Sequence, residues 1–265
     1  MTNERALLTI RFVGPELQAR GMPIYELGTA FVALQRIVNK AYLAETDSLT
    51  KGAVPEKTIR KSLALQISAH ERRSDFFALA PLLTDPTAVK ALTAAASFVY
   101  DVAKAYAAKK VVDILKSDKS ESKHIFIGSI HADVVNIVNR IDNIGGCESI
   151  EIGAPRHAPN DTLRFEAETR EYARRISYER YLGRSQELIG DVFKLYPNIG
   201  MVEVRRSRGK KCKVFLSEPD FERVRLSKIP SPRIRAFGRP RYKMGAEGPQ
   251  FDEFEAQELR SVSEA

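Results

Sequence analysis

The chain has 265 residues, with 42 Lys and Arg against 34 Asp and Glu, a net charge of +8, and 43% hydrophobic residues. That balance excludes a disordered, collagen-like or disulfide-scaffold chain. The length lies at the upper edge for one hydrophobic core, so two or three packed units are expected.

Cys147 and Cys212 stand far apart and neither belongs to a Cys-x-x-Cys pair, which predicts two buried thiols and the reducing environment of a cytoplasm. Met1 to Arg11 has no long apolar run, so no signal peptide is expected. Ala88 to Leu115 is broken by Lys90, Asp101, Lys104, Lys109, Lys110 and Asp113, which predicts no membrane span.

Leu7 to Val13 reads as a first strand, stopped by Gly14-Pro15. Pro23 then opens a helix to about Ala44, with Ile24, Leu27, Phe31, Leu34, Val38 and Ala41 as one apolar stripe. Gly28 and Ala30 would let another backbone come close. Beyond a polar stretch, Leu63 to Ser68 alternates as a strand, and Ser74 to Leu79 is its hairpin partner. Thr84-Asp85-Pro86 starts an alanine-rich helix to about Lys116, with Leu92, Ala96, Val99, Ala103 and Tyr106 on one face. That face packs either in the core or at a dimer seam. Lys116 to Lys123 offers nothing apolar to bury and reads as a loop or linker.

A helix from Ala132 to Ile144, strands at 149–152 and 162–165, and a polar helix from Glu168 to Leu182 follow. The last part has the clearest pattern: strands at 188–196, 201–206 and 211–216, a short helix at 218–226, and strands at 233–243 and 251–262. That order is the order of an OB-like five-stranded barrel. The expected fold is α+β: an N-terminal α/β unit with long amphipathic helices (1–116), a linker and middle segment (117–183), and the OB-like barrel with an acidic tail (184–265).

Enzymatic signatures are missing. No phosphate cradle, nucleophile elbow or His-Glu-x-x-His helix is present, and no cofactor is expected. His124, His131 and Asp133 are weak as metal ligands, and read instead as a capped helix start with solvent-facing imidazoles. A nuclease would need clustered carboxylates and a lysine. Asp191 with Glu203 has Arg205 where the lysine should stand, and Asp252, Glu253 and Glu255 sit on a strand whose acids should face water.

Charge is more informative. Glu203 to Lys243 holds 14 Lys and Arg against four acids, whereas Met244 to Ala265 holds six acids and one Arg. If extended, residues 233–243 place Arg233, Arg235, Phe237, Arg239, Arg241 and Lys243 on one face, with Tyr242 opposite. Five cations around an aromatic ring suit a nucleic-acid backbone with a base stacked on the ring. Arg205, Arg206, Arg208, Lys210 and Lys211 add a second cluster at a turn, and guanidinium forks fit phosphate. The competing account is an edge strand kept soluble by its charges, or neutralised by the acidic last strand.

Ile10-Arg11-Phe12, Ile24-Tyr25-Glu26-Leu27-Gly28 and Ala33-Leu34-Gln35-Arg36-Ile37 resemble the start of a family of uncharacterised bacterial proteins. The resemblance implies an N-terminal α/β region, a small C-terminal β-barrel and a bacterial cytoplasmic setting, with no attached activity. The function expected is non-enzymatic nucleic-acid binding, DNA or RNA, with the N-terminal helices mediating assembly. The alternatives are a structural subunit using its charge at a protein interface, and a metal-dependent nuclease or hydrolase.

Overall fold

The computed structural model describes residues 6–50, 52–71, 75–82, 86–118, 120–142, 146–227, 229, 231–244 and 251–263. Two units divide the chain, residues 1–179 and 180–265. In the first, strand β1 (Leu8–Val13) turns Leu8, Ile10 and Phe12 inward and is paired along both edges. Strand β3 (Asp75–Pro81) lies antiparallel on one side and β4 (Ser149–Ala154) on the other. Strands β2 (Leu65–Glu71) and β5 (Ala158–Phe165) complete an all-antiparallel sheet of order β2-β3-β1-β4-β5. Residues 149–165 are therefore part of the first unit's sheet, not a separate middle segment.

Seven helices among the described residues accompany this sheet: α1 (Pro15–Arg20), α2 (Ile24–Glu45), α3 (Lys57–Ser62), α4 (Pro86–Ala107), α5 (Val111–Ser117), α6 (Glu121–Val138) and α7 (Ala167–Ile176). Helix α2 packs on α4 and α6 through Ala33, Leu34, Ile37, Val38 and Ala41. The buried stripe keeps Leu34, Val38 and Ala41 of the expected one but not its start: Ile24 is 89% exposed, and no described atom outside the helix backbone lies within 4 Å of where a Gly28 Cβ would stand. The expected α4 face, from Leu92 to Tyr106, is buried within the chain.

The single helix expected to run to Lys116 breaks after Ala107, where Lys109 adopts a left-handed φ of 59°. The expected linker is mostly helix. Ser120 caps α6 by accepting from the Lys123 N–H, and α6 then buries Ile125, Phe126, Ile127 and Ile130. Only residues 118–120 separate the two helices.

The second unit contains β6 (Arg180–Leu182), β7 (Gln186–Tyr196), β8 (Met201–Arg205), β9 (Lys211–Phe215), helix α8 (Glu218–Leu226), β10 (Arg233–Lys243) and β11 (Glu253–Ser263). The polar helix expected to reach Leu182 stops at Ile176, and β6 follows. Strands β7, β8 and β9 form an antiparallel meander; β9 pairs parallel with β11; β11 pairs with β10, and β10 returns to β7. The hydrogen bonding thus runs round a ring. Inside it sit Leu188, Val192, Val202, Val204, Ile234 and Phe254, with Phe221 and Val224 of α8 packed on them. At Gly238 a Cβ would collide with the Glu255 carbonyl, so β10 and β11 approach there only because the residue is glycine.

Candidate nucleic-acid interface

The outward side of β7 carries Ile189, Asp191 and Phe193, since alternate residues Leu188, Gly190 and Val192 point inward. The β7–β8 register slips between Val192 and Lys194, which makes Phe193 the extra residue of a β-bulge. Its ring is 39% exposed. Arg205 of β8 and Lys211 of β9 are cross-strand partners, and both lie over it, at 5.6 and 5.2 Å from the centroid. Neither cation has a carboxylate within ion-pair distance among the described residues. An exposed ring with two such cations beside it has the chemistry to meet a base and its phosphate neighbours. The strand's period of two puts Phe193 on the same face as Asp191, although the residue was not among those singled out from the sequence.

The chain turns through 207–209, closed by the Arg206 N–H on the Lys210 carbonyl at 2.8 Å. Arg206 turns the other way from Arg205. Its guanidinium stacks 4.2 Å from the Phe251 centroid and donates to the Phe251 carbonyl at 3.1 Å. Around this stack is a groove of about 430 Å³ lined by Arg206, Lys210, Lys211, Lys243, Phe251 and Asp252, with Arg241 and Tyr242. Lys210 and Lys243 are exposed and also lack a described carboxylate partner. The side chain of Arg208 lies outside the described residues.

The expected stripe along β10 is not one free cationic face. Arg239 is 7% exposed and donates from Nε to the Gly183 carbonyl at 2.7 Å and from Nη2 to the Leu182 carbonyl at 3.1 Å. It is buried because β6 lies beside this end of β10, and it holds the 182–183 backbone. Arg241 donates from Nε and Nη2 to one oxygen of Glu255, at 3.1 and 2.9 Å, and covers the Phe215 ring. Phe237 is less exposed than Phe193 and is covered by Arg260, a bulge residue of β11, at 4.6 Å.

Arg233 and Arg235 lie 3.8 Å from Asp191 and 3.9 Å from Glu187. Such half-exposed pairs are worth under about 1 kcal/mol, weak enough for a phosphate to compete. Tyr242 packs between Tyr181 and Phe251, and burial pushes its hydroxyl pKa upward. Glu255 of the last strand therefore neutralises Arg241 and the β6 end occupies Arg239, and the accessible charge is centred on the 205–211 turn and Lys243.

Arg239→Met is expected to destabilise the second unit by about 3 kcal/mol, because it strands buried carbonyls that accept from a charged donor. Faster hydrogen exchange in 180–183 and 233–243 would show this. Unchanged exchange would return Arg239 to the surface.

The metal candidates do not converge, and no group of three His, Cys, Asp or Glu that could hold a metal occurs among the described residues. His124, His131 and Asp133 are all buried, in contrast to the solvent-facing imidazoles expected, because α6 starts eleven residues before Ala132 and turns His124, in its first turn, and His131 and Asp133, further along, into the unit. Asp133 binds Lys40 at 2.6 Å, and His124 Nε2 meets the Asp118 carbonyl at 2.7 Å.

His131 Nδ1 is 2.9 Å from the Tyr106 hydroxyl and Nε2 2.8 Å from Ser177 Oγ, which itself donates to the Ala173 carbonyl at 3.2 Å. Because the Ser177 proton is committed, Nε2–H donates to it and Nδ1 accepts from Tyr106. This closed chain ties α4, α6 and α7 together. Burial pushes the His131 pKa down to about 4, so the ring is neutral.

The nuclease candidates have other neighbours. Asp191 sits in register between Arg205 and Arg233, and Glu203 accepts from the Tyr196 hydroxyl at 3.2 Å. Glu253 is buried against Arg180 at 2.9 Å instead of facing water. Both cysteines are free and buried, with burial pushing each thiol up to about 12. Comparisons with protein-family models, curated proteins and solved structures find no match.

Proposed function

We propose that the second unit is an OB-like barrel that binds nucleic acid without catalysis, using the outward face of β7, β8 and β9. The strand order supports the barrel reading. Numbering β7 to β11 as one to five, the ring runs 1-2-3-5-4-1, strands three and five are parallel, and α8 lies between three and four. In such barrels the face of strands two and three, with the adjoining loops, binds oligonucleotides. Arg205 and Lys211 belong to those two strands here.

The observation that carries the reading is the exposed Phe193 ring with Arg205 and Lys211 beside it. Arg206, Lys210 and Lys243 extend the cationic surface, Arg233 and Arg235 flank it, and Arg239 has no part in binding. Phe193 takes the stacking role first expected of Phe237. In an anisotropy titration with a labelled single-stranded oligonucleotide, Phe193→Ala is expected to weaken binding about tenfold, since stacking is worth about 1–3 kcal/mol per base. Equal affinity of the variant and the parent would reject the platform.

A second reading concerns the first unit. Ile24, Tyr25 and Val32 of α2 are exposed around a hollow of about 390 Å³. Contiguous apolar exposure favours a protein-contact surface there, in keeping with an assembly role for these helices.

A further inference from the structure

The groove beside the platform holds a chemical oddity: one carboxylate, Asp252, among the cations Arg206, Lys210, Lys211 and Lys243. A groove that gripped phosphate alone would bind more weakly for carrying a negative charge. Asp252 is not held there as an internal counter-ion, because its carboxylate makes no ion pair with any described residue. Its backbone carbonyl accepts from the Lys213 N–H at 2.8 Å, which fixes the residue at the mouth of β11 whatever its side chain does. Asp252 is thus an exposed acceptor residue on the lining of a ligand-sized space; about 300–1,000 Å³ is typical of small-ligand pockets.

An ionised carboxylate only accepts hydrogen bonds, so it selects ligand edges rich in donors. Among unpaired bases, guanine alone presents two adjacent donors, N1–H and the N2 amino group, that match both carboxylate oxygens. Adenine and cytosine offer one amino group, and thymine one N–H flanked by carbonyls. The flat surface that a base needs is present too. The Arg206 guanidinium, backed by Phe251 at 4.2 Å, is a plane of the kind on which splayed bases stack. Lys210, Lys211 and Lys243 stand around it for the neighbouring phosphates.

We infer that this groove reads an unpaired guanine in the bound strand, with Asp252 accepting from its Watson–Crick edge and Arg206 stacking on its ring. The inference rests on the nucleic-acid reading of the adjoining face.

The test uses the full chain and labelled oligothymidylate about twelve nucleotides long, a length within the usual range of site sizes for such barrels. It is compared with the same strand carrying one central dG, dA, dC or deoxyinosine. The dG strand is expected to bind at least about fivefold tighter than the all-dT strand, the lower end of what a bidentate base contact contributes. Deoxyinosine, which lacks the N2 amino group, should lose most of that gain. Asp252→Asn should erase the guanine preference while binding all-dT as well as the parent does, or better. Equal binding of dG and all-dT strands, or a preference that survives Asp252→Asn, would overturn the guanine assignment and leave the platform standing. Absence of binding to every strand would overturn both.

Discussion

Arg205→Glu combined with Lys211→Glu is expected to reduce affinity for single-stranded oligonucleotides by roughly two orders of magnitude in low salt. Each removes a charge-assisted contact worth about 1.5–3 kcal/mol, and tenfold in affinity corresponds to about 1.4 kcal/mol. The loss should shrink as salt rises. A single strand gives a slope of log K against log salt of about −0.7 per phosphate contact, so two lost contacts should flatten it by about 1.4. Both side chains are exposed, and neither has an acidic partner among the described residues whose loss would unsettle the fold. Arg241→Glu is the informative contrast, because Arg241 is already bound to Glu255 and should contribute less. A double variant that binds like the parent, with an unchanged salt slope, would sink the proposed interface.

Acid should weaken the first unit well before general acid unfolding. His131 is neutral in the fold, with its pKa pushed from the usual 6.5 down to about 4 by burial. The unfolded chain takes up a proton below about pH 6.5, and the folded chain does not until about pH 4. Within that window the unfolded state holds more protons, so stability falls as pH falls. The contribution is fully present above pH 6.5, and about 3 kcal/mol of it is gone by pH 4. Urea unfolding followed by the helical circular-dichroism signal reports mainly this unit, since among the described residues only α8 lies in the other. His131→Gln should be less stable near neutral pH but show a shallower decline between about pH 6.5 and pH 4. Parallel declines for both proteins would show that His131 is not the group responsible.

The fold was legible wherever a local pattern decides the structure. Residues 188–243 alternate cleanly and are punctuated by the Pro197–Gly200 and 207–209 turns, so strand boundaries there lie close to those observed, and α8 and β10 match the expected 218–226 and 233–243. Short elements with little apolar content, α1 and α3, left no such pattern. The α6 cap resembles a linker because capping and linking use the same polar residues; only the apolar run beginning at Ile125 distinguishes them.

Burial of a polar group was the hardest feature to anticipate. Arg239 alternates like its exposed neighbours, and what buries it is β6, more than fifty residues away in sequence. His131 likewise depends on a tyrosine from α4 and a serine after α7. Alternation along 233–243 says which side a residue faces and nothing of the β6 carbonyls that take Arg239 or of Glu255 on β11, which takes Arg241. At the 205–211 turn Arg205, Lys210 and Lys211 are exposed, as a polar turn predicts.

The parallel pairing of β9 with β11 has a consequence for biosynthesis. While the ribosome is still making the segment that becomes β11, β9 lacks a neighbour on one side and β10 cannot complete its place in the ring. Unsatisfied amides on both strands are then available to any passing chain. The nascent unit is most vulnerable to misassociation during that interval, and a premature stop before residue 253 would make the exposure permanent.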